Sequence, residues 1–156
     1  VKSTIQLELN NQYKGLQAPL EALCKQVETL EASELFPIQA GELSLAFVDD
    51  ETLASIHAEF MDDPSPTDVI TFAAEPAMDS AGEILISVDR AIEQAHKQAT
   101  PLSHELSLYF IHGWLHLAGY ADDTAEAIQK MRAAEKTAMR LLRDQDQLDH
   151  FKITSV

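Results

Sequence analysis

From Thr4 to Leu9 apolar and polar residues alternate, the period of a half-buried strand, and Tyr13 to Gly15 interrupt the pattern. The apolar positions then open to spacings of three and four at Leu16, Leu20, Leu23, Val27 and Leu30, which predicts an amphipathic helix from Leu16 onward. Pro37 closes that region. Gly41 to Val48 predicts a second strand, with Leu43, Leu45 and Phe47 on one side and Ala46 and Val48 on the other. Asp49 or Asp50 is expected to cap a helix whose Leu53, Ile56 and Phe60 face inward. Between Met61 and Asp68 the two prolines and the acidic and hydroxyl residues exclude helix and central strand, so the stretch predicts a loop. That loop feeds a short buried strand, Val69 to Phe72, and Gly82 to Val88 predicts a fourth. Ser87 or Asp89 then caps a helix through Ile92 and Ala95.

Thr100 followed by Pro101 predicts a helix start, a capping residue with proline at the first helical position. The helix it opens is apolar nearly all round, through Leu102, Leu106, Leu108, Tyr109, Phe110, Ile111, Trp114, Leu115 and Leu117, and must be the central buried helix. A last helix is expected from about Thr124 to Arg143, with Ile128, Met131, Glu135, Ala138 and Leu142 on one face. The polar tail after it is expected to be loosely held. This order predicts an α+β fold: a single domain over residues 1–156, a mixed sheet of about four strands covered by helices.

Composition narrows the chemistry. At 156 residues and 46% hydrophobic content the chain can build one real core. It carries no long apolar run, so neither a signal peptide nor a membrane span is expected, and the protein is expected to be cytoplasmic. Cys24 is the only cysteine, which excludes an internal disulfide and a thiolate zinc cluster within one chain. Any metal must be held by histidines and carboxylates. Eleven Lys and Arg against 26 Asp and Glu give a net charge of −15, a field that repels phosphate backbones. No Lys or Arg occurs between Lys25 and Arg90. The one basic concentration, Arg132, Lys136, Arg140 and Arg143, recurs at helical spacing and is read as a solvated face complementing the helix C-terminal dipole.

The candidate chemistry lies in His112-Gly113-Trp114-Leu115-His116-Leu117-Ala118-Gly119-Tyr120-Ala121-Asp122. Two histidines four apart on a helix are displaced by about 40° around the axis and about 6 Å along it, so both imidazoles lean over one face. Gly119 stands where a helix C-terminal glycine takes the left-handed turn, which lets Asp122 double back as a third ligand. Two imidazole nitrogens and a carboxylate oxygen suit zinc, with a fourth position left to water. Glu105, two turns before His112, could orient a ligand from behind, or simply complement the dipole of the first helical turn. The ordinary alternatives are that the pair are core histidines satisfied by hydrogen bonds, and that Asp123 with Glu126 forms a capping box.

Several motifs in order resemble the YbeY family. Pro66-Thr67-Asp68-Val69-Ile70-Thr71-Phe72 is similar to its PTDVLSF, and Gly82-Glu83-Ile84-Leu85-Ile86-Ser87 to its GDI-x-IS. Glu105 falls where the family has a recurring Glu seven before the first histidine, and His112 to Tyr120 matches HGxLHLxGY. The resemblance implies a metal-dependent endoribonuclease that works in ribosomal RNA maturation and ribosome quality control, with RNA or the small ribosomal subunit as partner. The chain departs from the family pattern at two places. The family's third histidine ligand is Asp122 here, which lowers the positive charge at the ion by one unit, and its usual loop arginine is Met61. Losing that cation removes a candidate for holding a scissile phosphate.

On this reading a zinc ion held by His112, His116 and Asp122 polarises a phosphoryl oxygen and activates a water. Gly113 follows the first histidine, so the helix-borne glutamate base of HExxH proteases is absent, and the base must come from elsewhere, with Asp68 or Asp123 as candidates. Two other readings stay open: a diverged, weakly catalytic ribosome-associated binding protein, and a hydrolase of another ester or amide on the same scaffold.

Overall fold

The protein is described by a computed structural model at residues 4–61 and 67–154. Most of the loop expected before Asp68, residues 62–66, lies outside the described residues, as do 155 and 156. Four strands, β1 (Ile5–Asn11), β3 (Gly41–Val48), β4 (Val69–Phe72) and β5 (Ser80–Ser87), form one sheet in the order β1-β3-β5-β4. The pairs β1–β3 and β3–β5 are parallel, and β4 runs antiparallel to β5 at the edge. The mixed α+β architecture expected from the element order is the one observed.

The alternation within the strands sorts the core into two faces. Leu43, Leu45, Phe47, Ile84 and Ile86 point to the larger cluster, which is closed by α1 (Leu20–Ser33), α3 (Val88–Gln98), α4 (Leu102–Leu117) and α5 (Ala125–Asp144). Ala46, Val48, Ile70 and Leu85 point the other way, onto Leu53 of α2 (Asp50–Met61). Helix α4 is the central one: Leu106, Phe110, Ile111, Trp114 and Leu115 are almost wholly removed from water. Gly113 lets it lie close on the sheet, because a Cβ there would stand 2.6 Å from Cγ2 of Ile84. The residue after the first histidine is thus fixed by packing on β5.

Four expectations are corrected. The first helix begins at Leu20, not Leu16, because Pro19 holds an extended backbone at the N-cap and lacks the N–H that a longer helix needs. Leu16 and Gln17 instead form β2, which pairs antiparallel with β6 (Lys152–Ile153). The tail through Thr154 is therefore held, with Phe151 buried edge-on against Phe47 and its N–H donated to Ser103 Oγ. Phe60 is 63% exposed and reaches only the edge-strand ring of Phe72, since α2 is too far toward the rim of the sheet to bury it. Thr100 does not cap α4: the N-cap is Pro101, without a side-chain bond, and the Thr100 hydroxyl donates to Glu105 instead. The other two helix starts follow expectation, with Asp49 accepting from the Thr52 N–H and Ser87 from the Arg90 N–H.

Candidate metal centre

The last turns of α4 present His112 and His116 on one face, rings edge-to-face at 4.6 Å and Nε2 atoms 3.1 Å apart. The helix then ends in a Schellman turn. Gly119 takes a φ of +101°, its N–H bonds to the His116 carbonyl, and the Tyr120 N–H reaches back to the Leu115 carbonyl. This reversal brings Asp122 over the histidine face, with Oδ2 at 3.5 Å from His112 Nε2 and 3.3 Å from His116 Nε2. The capping box expected of Asp123 and Glu126 does not form: Thr124 is the N-cap of α5 and accepts the Ala127 N–H.

Glu135 of α5 sets the chemical state of that cluster. Its Oε2 lies 2.7 Å from His112 Nδ1, and its Oε1 accepts from Arg132 Nη1 at 2.8 Å. Burial by itself pushes the Glu135 carboxyl up, but the hydrogen bonds and charges of His112 and Arg132 outweigh burial and hold it below the usual carboxylate range. An ionised Glu135 at Nδ1 keeps the ring proton there, so the lone pair of His112 is on Nε2 and points at His116 and Asp122. Two imidazole nitrogens and a carboxylate oxygen, all within 4.8 Å of one another, then face a common point as acceptors. Uncompensated acceptors repel at this separation. A divalent cation of the zinc type, which takes nitrogen and oxygen donors, fits the set.

Glu135, not Glu105, is thus the carboxylate behind His112. Glu105 is buried and accepts from the Thr100 hydroxyl. The sequence did place Glu135 on the inward face of its helix, and a charged residue at an apolar-periodic position was the signal for its role.

Two cavities flank the cluster. A cleft of about 420 Å³ is lined by His116 and Asp122 together with His57 and Met61 of α2 and Thr71 of β4. His57 was not singled out by sequence, because only the tertiary packing of α2 beside β4 carries it to this wall. On the other side a groove of about 720 Å³ contains Asp68, Arg132 and Glu135. Asp68 is exposed there, its carbonyl taken by the Ser87 N–H. Asp123 is exposed and lines neither cavity. Among the described residues no helix is long and apolar enough to cross a membrane.

Residues 4–143 match the family model described as Endoribonuclease YbeY. A relative from Chlamydia caviae, named Endoribonuclease YbeY, is 33% identical over 155 residues, covering 94% of this chain and 97% of its own length. Relatives of the same name from Heliobacterium modesticaldum and Rhodopirellula baltica are 34% and 42% identical over 67% and 65% of this chain, which covers 72% and 54% of their lengths. The solution structure of TM1509 from Thermotoga maritima superposes with a TM-score of 0.57 at 25% identity, over 92% of this chain and 96% of that one. Fold, ordered motifs and relatives agree: this chain belongs to the YbeY family.

Proposed function

We propose that this protein is a hydrolytic endoribonuclease that cleaves single-stranded RNA with one zinc ion held by His112, His116 and Asp122, and that its substrate is ribosomal RNA in the cytoplasm, in maturation and quality control of the ribosome. The observation that carries the reading is the convergence of His112 Nε2, His116 Nε2 and Asp122 Oδ2 behind a Glu135-fixed imidazole, inside a chain of an endoribonuclease family.

When bound, the ion supplies Lewis acidity toward a phosphoryl oxygen and lowers the pKa of a water. The chain's own residues do the rest. Glu135 holds the His112 ring in one tautomer and orientation, and the turn at Gly119 fixes Asp122 opposite both rings. Arg132 is the cation nearest this machinery: its guanidinium is held charged first by Glu135, and the fields of Asp68 and Asp122 reach it as well. Arg132 accordingly stands in for the cation that Met61 does not provide, offering N–H donors to a phosphate drawn toward the cluster. Of the two candidate bases we favour Asp68, which shares the groove with Arg132, over Asp123, which lines neither cavity, as the carboxylate that would accept a proton from the attacking water.

Elemental analysis of purified protein should find one zinc per chain, reduced in Asp122→Ala and His116→Ala, and unstructured RNA should be cut by the zinc-loaded wild type and not by His116→Ala. Stoichiometric zinc without cleavage of any RNA would overturn the nuclease reading in favour of a binding protein or of a hydrolase for another ester.

A further inference from the structure

The basic stripe of α5 is not simply a solvated face. Lys136, Arg140 and Arg143, with Arg132, line the 720 Å³ groove whose other walls come from α3 and α4, through Gln94, Gln98 and Leu108. These four are more than a third of the eleven Lys and Arg in a chain of net charge −15, gathered along one cavity. Among the described residues Lys136, Arg140 and Arg143 make no ion pair, whereas Lys25, Lys97 and Lys130 each lie against a glutamate one helical turn away. Of the three acids of the groove, Glu135 is engaged by His112 and Arg132 and Glu105 by Thr100, while the exposed Asp68 carboxylate acts on Arg132 through its field. The three outer cations thus face the cavity with their charge uncompensated, in a protein that otherwise repels polyanions.

Their spacing runs toward the histidines. From Arg143 to Arg132 is about 16 Å along the helix, the length of a few nucleotides of single strand, with one cation per turn. The inner end of the row is Arg132, one carboxylate away from His112. Cations along one wall, with Leu108 and Met139 as apolar surface on which a base can lie, are the combination that a single strand uses.

We infer that this groove carries the backbone of single-stranded RNA, with Lys136, Arg140 and Arg143 on phosphates and Arg132 passing the strand to the His112–His116–Asp122 cluster. The inference rests on the RNA-cleaving reading above for its ligand, but its test does not need cleavage. Binding of a short fluorescein-labelled oligouridylate is measured by anisotropy across a salt series, in EDTA, for the full chain. K136Q/R140Q/R143Q should weaken binding by at least about tenfold near 50 mM salt and reduce the slope of log affinity against log salt by about two. K25Q/K97Q/K130Q makes the same change in net charge and should alter affinity less than about twofold. Equal effects of the two triple variants, or no binding by the wild type, overturn the groove assignment. Wild-type protein that binds through the groove without cleaving when zinc-loaded overturns the nuclease reading and upholds the groove. Cleavage whose KM is unchanged in K136Q/R140Q/R143Q does the reverse.

Discussion

Replacing Glu135 by Gln tests the centre most sharply, because it changes charge with almost no change in shape. The side chain is 4% exposed and carries two short contacts, 2.7 Å to His112 Nδ1 and 2.8 Å from Arg132 Nη1. A glutamine keeps one acceptor oxygen. If that oxygen takes the His112 N–H, its amide N–H₂ faces the Arg132 guanidinium, donor against donor, and the alternative flip leaves the imidazole facing a donor. A charge-assisted bond is worth about 1.5–3 kcal/mol and a neutral one about 0.5–1.5, so the imidazole loses about 1–1.5 kcal/mol of its fixed orientation. That corresponds to zinc affinity lower by about tenfold, the lower end of what loss of a carboxylate behind a metal-bound histidine costs. Competition with a chromophoric zinc chelator measures it, with urea unfolding of the metal-free protein as a control for the fold. Affinity within about twofold of wild type in a normally folded Glu135→Gln protein would refute the argument that Glu135 prepares His112.

Gly113→Ala puts a methyl 2.6 Å from Cγ2 of Ile84, which is fully buried, so α4 must move off β5; we expect a loss of about 1–3 kcal/mol in urea unfolding, and because valine keeps that Cγ2 atom, Ile84→Val should not restore it. Met61→Arg places a cation on the cleft wall opposite His116 and Asp122 and should raise RNA affinity or turnover, whereas an unchanged KM and kcat would mean that RNA does not pass that wall. Asp49 is held below the ordinary carboxylate value by its hydrogen bonds from Thr52 at the start of α2. A carboxyl depressed in the folded state stabilises above the unfolded pKa of about 3.9 and loses that contribution as pH falls through the folded value. Asp49→Asn should therefore flatten the stability profile in that acid window and leave neutral stability within a few tenths of a kcal/mol, roughly, as an equivalent cap; an unchanged acid slope would refute it.

Local rules decided much of this molecule from sequence alone. The period-2 runs of β3 and β5 put Leu43, Leu45 and Phe47 on one face and Ala46 and Val48 on the other, because strand side chains alternate whatever lies beyond them. The pairing of His112 with His116 and the reversal at Gly119 were equally legible, since helical spacing and a glycine C-cap are properties of a few adjacent residues. What could not be read there depends on segments far apart in the chain. Leu16 looked like a helix position until the tail, 137 residues on at Ile153, paired with it. Glu135 reaches His112 across 23 residues, where spacing had offered the nearer Glu105 as one of two readings. His57 joins the cleft, and the exposed α5 cations line a groove, only because α2, α3 and α4 pack where they do. Side-chain period follows from covalent geometry, but which surfaces meet is settled by burial of the whole apolar set at once, and the candidate centre is made at those meetings.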